Sequence, residues 1–122
     1  RAQKTVFIIT TTDGFIRKGD KFKNAFKKLS AAGVKIKIVA PIAKESKRVY
    51  DNIKAYAQIK HTDSINARFI IVDNKEVLFH VVDDKNVHES YDTGVWVDTP
   101  YFASTLSAMF NQTWNDMENP KI

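Results

Sequence analysis

No cysteine occurs in the 122-residue chain. That excludes a disulfide framework, a thiolate zinc site, an iron–sulfur cluster and a cysteine nucleophile, and makes a reducing cytoplasm the expected compartment. Glycine is scarce too: the four present are not grouped as in a phosphate-cradling loop, so a nucleotide cofactor is not expected. The chain also lacks a His-Glu-x-x-His run, a serine nucleophile between glycines and a Ca²⁺ loop. His61, His80 and His88 have no metal-ligand spacing, so the expectation is no metal and no cofactor. Apolar runs such as Val6–Ile9 and Phe69–Val72 fall far short of the ~20 residues of a spanning helix, so no membrane partner is expected. Arg1-Ala2-Gln3-Lys4 leads straight into a strand-like run without the features of a signal peptide, and no initiator Met is present. The chain is therefore expected to be a fragment of a longer protein.

What is present suits a single domain spanning 1–122, with 43% apolar and 27% charged residues, only three prolines, and no composition typical of disorder or a coiled coil. Charge is divided unevenly. Residues 1–48 carry 13 Lys/Arg against Asp13, Asp20 and Glu45, a net of +10, whereas the remainder carries a net of −5. A basic half can attract nucleic acid or anionic ligands through its field, and lysines equally solubilise the outer faces of helices.

Thr5–Thr12 contains the continuous apolar run Val-Phe-Ile-Ile expected of a central strand covered on both faces. From Asp20, Phe22, Ala25, Phe26 and Leu29 follow helical spacing up to Gly33, a natural stop. Val34–Ala40 alternates as a second strand, Lys44–Gln58 places Val49, Ile53, Tyr56 and Ala57 on one helical face, and Ile59–His61 suits a short strand. Arg68–Val72 and Glu76–Val82 flank Asp73-Asn74-Lys75 as an antiparallel hairpin, and Gly94–Asp98 supplies a last strand. Thr99 and Pro100 open a final helix with Phe102, Leu106, Met109, Phe110, Thr113 and Met117 along one stripe. The order β-α-β-α-β-ββ-β-α predicts an α/β fold, a mixed, mostly parallel sheet with helices on both faces. Trp96 and Trp114 are expected in packing roles, and Thr10–Asp13 and Pro41 follow strands at the edge where open α/β sheets bind ligands.

The segment from Asn66 through Arg68 and Asp73 to Asp83 resembles the hairpin of the phospholipase D-like superfamily, in which His-x-Lys, four residues and Asp are followed by a second strand and Gly-Ser-x-Asn. The spacing is kept and the chemistry is not. Asn66 stands at the nucleophilic His, Arg68 at the Lys and Asp73 at the Asp, while His80, Val81 and Asp83 replace Gly, Ser and Asn. Asp92 sits where many members carry Glu. Gly33-Val34-Lys35-Ile36 and the Phe110-to-Trp114 spacing extend the likeness along the whole chain. Ile59-x-His61, Arg68–Asp73 and Val95-Trp96-Val97 are similar to the effector region of archaeal TrmB-like transcriptional regulators.

This resemblance implies a phospholipase D-like half with no catalytic residues, because an amide at position 66 can neither form a phospho-enzyme bond nor shuttle protons. Asn66, Arg68, Asp73, His80, Asp83 and Asp92 become the candidate ligand-binding set, with Arg68 as the anion contact. Arg68 can alternatively pair with Asp73 or Asp83 and merely stabilise the hairpin. The partners implied are a second copy of the chain, a small-molecule effector that is anionic or a sugar, and DNA reached through a winged-helix domain absent from this chain. The rival readings are a phosphodiesterase or nuclease of the same superfamily, and a nucleic-acid-binding module using the basic first half.

Overall fold

A computed structural model describes residues 4–63, 67–80 and 94–120. The elements are β1 (Thr5–Ile9), α1 (Thr12–Ala31), β2 (Lys35–Ala40), α2 (Lys47–Ile53), β3 (Gln58–His61), β4 (Phe69–Val72), β5 (Glu76–His80), β6 (Gly94–Asp98) and α3 (Pro100–Trp114). This order is the expected one. The six strands form one sheet in the order β3-β2-β1-β4-β5-β6, which puts β1 in the interior, as its unbroken apolar run requires.

The sheet is mixed, but its balance differs from the expected parallel majority. β1–β2 and β2–β3 pair in parallel, while β1–β4, β4–β5 and β5–β6 are antiparallel. Helices α1 and α2 carry the chain back between β1, β2 and β3, so these run the same way. β4, β5 and β6 add side by side in chain order, each reversing its neighbour.

Alternation along the strands divides the core into two layers. Val6, Ile36, Ile38 and Ile59 face α1 and α2, where they meet Phe15, Phe26, Val49 and Ile53. Phe7, Ile9, Val39, Ile71 and Val77 face α3, where they meet Ala103, Phe110 and Trp114. Phe7 and Phe110 stack with centroids 4.7 Å apart.

Helix α1 begins eight residues before the expected start at Asp20. Thr11 caps it, its hydroxyl accepting the Gly14 N–H at 3.0 Å, so the second threonine of a strand-like triplet opens a helix instead. Two glycines weaken the local helical signal, but at Gly19 a Cβ would collide with Val49, so the absent side chain is what lets α2 lie close. At the other end Gly33 adopts φ 87°, and the Val34 and Gly33 N–H groups return to the carbonyls of Leu29 and Ser30, closing the helix as expected. Helix α2 is shorter than the predicted Lys44–Gln58: a 3-10 turn at Lys44–Ser46 precedes it, and Gln58 already belongs to β3.

Helix α3 is rotated from the predicted stripe. Ala103, Ser107, Phe110 and Trp114 face the sheet, whereas Phe102 and Met109 are exposed. Small residues on the inner side allow close approach, and Phe102 packs at the margin against Phe79, with centroids 5.6 Å apart. Trp114 is a core residue as expected. Trp96, expected in core or interface packing, lies outside the core: it is exposed on β6, its indole N–H donating to Glu76 Oε1 at 2.8 Å. The hairpin turn has its expected geometry, with Asp73 and Asn74 both at φ 55°. Among the described residues no helix is long and apolar enough to cross a membrane.

Candidate functional site

The antiparallel pairing of Ile9 with Phe69 brings Arg68, just before β4, to the C-terminal end of β1 beside Thr10. That is the edge at which β1, β2 and β3 all end, and it is where open α/β sheets place their ligands. The Thr12 hydroxyl donates to the Pro41 carbonyl at 2.9 Å, tying the start of α1 to the end of β2. The two turns singled out from the sequence, Thr10–Asp13 and Pro41, therefore meet here.

Arg68 is only 7% exposed. It lines a small apolar cleft of about 50 Å³, partly open to solvent, together with Ile8, Thr10, Gly14, Phe15 and Ile70. A methyl group at Gly14 would stand 3.5 Å from Arg68 Cδ, so the arginine stem crosses the first turn of α1. Lys18, one turn further along, also lines the cleft. Arg68, Lys18 and the first turn of the 20-residue helix α1 thus border one apolar space. Such an environment favours a ligand with an anionic head and an apolar body.

The other candidates are placed unequally. Asp73 lies at the opposite end of β4, five residues or roughly 16 Å from Arg68, so the two do not pair. Its carboxylate accepts the backbone N–H groups of Lys4 at 2.8 Å and Thr5 at 3.1 Å, anchoring the start of β1. His80 ends β5 one position beyond Phe79, which pairs with Phe69, so its backbone stands next to the Arg68 position. Asn66, Val81, Asp83 and Asp92 lie outside the described residues.

His61 stands at the same sheet edge, at the end of β3. The Ile42 N–H donates to its Nδ1 at 2.9 Å, which leaves the proton of the neutral ring on Nε2, 3.0 Å from Asp63 Oδ2. The imidazole thereby ties the end of β3 to the loop after β2.

Solved structures that resemble this one over nearly its whole length include the following three. NucT from Helicobacter pylori superposes with a TM-score of 0.77 at 12% identity, covering 98% of this chain and 84% of that protein. Nuc from Salmonella typhimurium, a phospholipase D family member, gives 0.67 at 18% identity and 99% and 84% coverage. TrmBL2, an archaeal chromatin protein, gives 0.69 at 20% identity. The fold is phospholipase D-like. The chain covers 98% of itself but only 46% of TrmBL2, so it spans about half of that protein's length. No family model matches the sequence, and no curated protein matches it. In the phospholipase D-like frame, Arg68 and the end of β5 come together at one end of the β4–β5 hairpin, with the turn and Asp73 at the other.

Proposed function

We propose that this chain is the effector-sensing and dimerisation domain of a TrmB-like transcription regulator of the cytoplasm, without enzymatic activity. The observation that carries the reading is the burial of Arg68 in an apolar cleft at the start of α1. A guanidinium there can hold a carboxylate or phosphate bidentately while the hydrocarbon walls of the cleft take an apolar body. The amide at position 66 supports binding without cleavage, since phosphodiester chemistry of the superfamily type needs an imidazole there. The DNA-binding character of TrmBL2 supports a DNA-binding parent protein, whose response would follow from effector-induced changes in the pairing of two copies.

The test is a calorimetric titration of small carboxylates and phosphates bearing apolar groups, with the original chain and with Arg68→Ala. A buried charge-assisted hydrogen bond contributes about 1.5–3 kcal/mol, so the variant should bind about 10- to 150-fold more weakly while still melting cooperatively. Unchanged affinity in a variant of much lower melting temperature would make Arg68 purely structural. Sedimentation at tens of micromolar checks the dimer: two-chain particles are expected, and a monomer throughout would remove that part of the proposal.

The resemblance to NucT and Nuc favours a second reading, a phosphodiesterase or nuclease. It requires another nucleophile, and His80, next to the Arg68 position along the hairpin, is the imidazole to test.

A further inference from the structure

The face of the sheet that α3 covers is not covered evenly. Helix α3 ends at Trp114, and beyond it the same face of β2 and β3 presents Lys35, Lys37 and Lys60 in place of apolar residues. Lys35 and Lys37 are two residues apart on β2, roughly 6.6 Å, and Lys60, paired with Val39, stands one strand over at a diagonal of about 7–8 Å. Along the backbone the three positions form a line.

Two members of this line are held in place. Lys37 Nζ lies 5.1 Å from the Trp114 ring and 5.7 Å from that of Phe7. Lys60 Nζ lies 4.7 Å from the Trp114 ring and donates to the Trp114 carbonyl at 2.7 Å. Among the described residues, no carboxylate forms an ion pair with any of the three. Burial, followed by the charges of Lys35 and Lys60, holds the Lys37 ammonium below its ordinary pKa. Three like charges kept together at this cost are relieved by a line of anions.

We infer that Lys35, Lys37 and Lys60 form a docking strip for the phosphate backbone of duplex DNA, on the opposite side of the sheet from α1 and separate from the Arg68 cleft. A row of ammonium groups suits a polyanion, because each is a point charge that can meet a different phosphate, whereas a single small anion needs donors that converge. Duplex DNA carries one charge per about 1.7 Å of axis, so a strip about 14 Å long meets several phosphates in any sequence register. A membrane surface is the poorer partner. Interfacial binding needs exposed apolar groups beside the cations, and Trp114, the ring that Lys37 and Lys60 both adjoin, is buried.

The experiment is anisotropy of a labelled random-sequence duplex with the 122-residue chain between about 50 and 200 mM salt. Three phosphate contacts give a slope of log affinity on log salt of about −2.7, equivalent to about 40-fold over that range. The triple variant Lys35→Gln, Lys37→Gln, Lys60→Gln should lose nearly all of that slope. Lys23→Gln, Lys27→Gln, Lys28→Gln on α1, with the same change in net charge, should keep it. If the first triple variant does not melt cooperatively, exposed Lys35→Gln alone should reduce the slope by about 1. Equal losses from both triple variants would mean a net-charge effect and overturn the site. So would absence of binding at low salt, or Lys35-, Lys37- and Lys60-dependent binding to anionic vesicles but not to DNA.

Discussion

Gly14 and Arg68 are packed against each other: a methyl group at Gly14 would stand 3.5 Å from the arginine Cδ and would overlap the hydroxyl of Thr10. Residues 54 positions apart in sequence therefore define the floor of one cleft. The contact exists because β1 and β4 pair antiparallel, bringing the residue before β4 against the turn that starts α1.

This contact fixes the sign of one substitution. In an exposed helix Gly→Ala gains about 1 kcal/mol of helix propensity. At Gly14 the new methyl overlaps Thr10, and overpacking of this kind costs about 1–3 kcal/mol, so Gly14→Ala should be destabilising on balance. Urea unfolding should show a lower midpoint with an unchanged slope. A midpoint at or above that of the original chain would mean that Thr10 and Arg68 have room to move.

Asp73 combines two roles that substitutions can separate. Asp73→Gly keeps the turn at φ 55° but loses the carboxylate's hydrogen bonds, those from Lys4 and Thr5 among them, for about 1–2 kcal/mol. Asp73→Ala loses the same bonds and, like Asp73 itself, keeps a β-carbon in the left-handed region, a strain of about 1–2 kcal/mol that only Gly relieves. The Ala variant should therefore show the lowest denaturation midpoint of the three. Equal midpoints for the two variants would show that the backbone conformation costs nothing at this position.

Catalytic silence follows from the proposed function. Incubated with a chromogenic phosphodiester, the chain should release product at the buffer rate, because Asn66 and Val81 stand where the superfamily motif has His and Ser. Turnover that persists through purification and disappears in His80→Ala would reverse the assignment in favour of the nuclease reading.

Lys37 gives a pH prediction with a definite sign. Its ammonium is held below the ordinary 10.5, first by burial and then by Lys35 and Lys60, so the folded chain binds this proton more weakly than the unfolded chain. Between the lowered value and 10.5 the unfolded state holds more protons, and stability from this group rises with pH through that window. Lys37→Met removes the penalty and retains the contact with Trp114 and Phe7. The variant should melt above the original chain at neutral pH, with the gap narrowing toward pH 10.5. A gap independent of pH would assign the gain to packing alone.

Element order, the class of fold, the hairpin turn at Asp73-Asn74 and the helix stop at Gly33 are all legible in the amino-acid sequence. Each rests on a local property: a run of apolar residues, a 3.6-residue period, or a residue type that tolerates positive φ. Tertiary structure alone decided the rest. Thr12 begins a helix because Gly14 and Gly19 accept Arg68 and α2 at close range, outweighing their weak helical propensity. Ala103 and Ser107 turn inward, ahead of the larger Phe102 and Met109, because the separation of helix and sheet selects small residues. His61 joins the loop after β2, and Lys37 and Lys60 flank Trp114, only through strand register. Periodicity states that a residue has a face; which neighbour that face meets is set by pairings between distant segments, and the candidate cleft and the lysine strip are both made of such pairings.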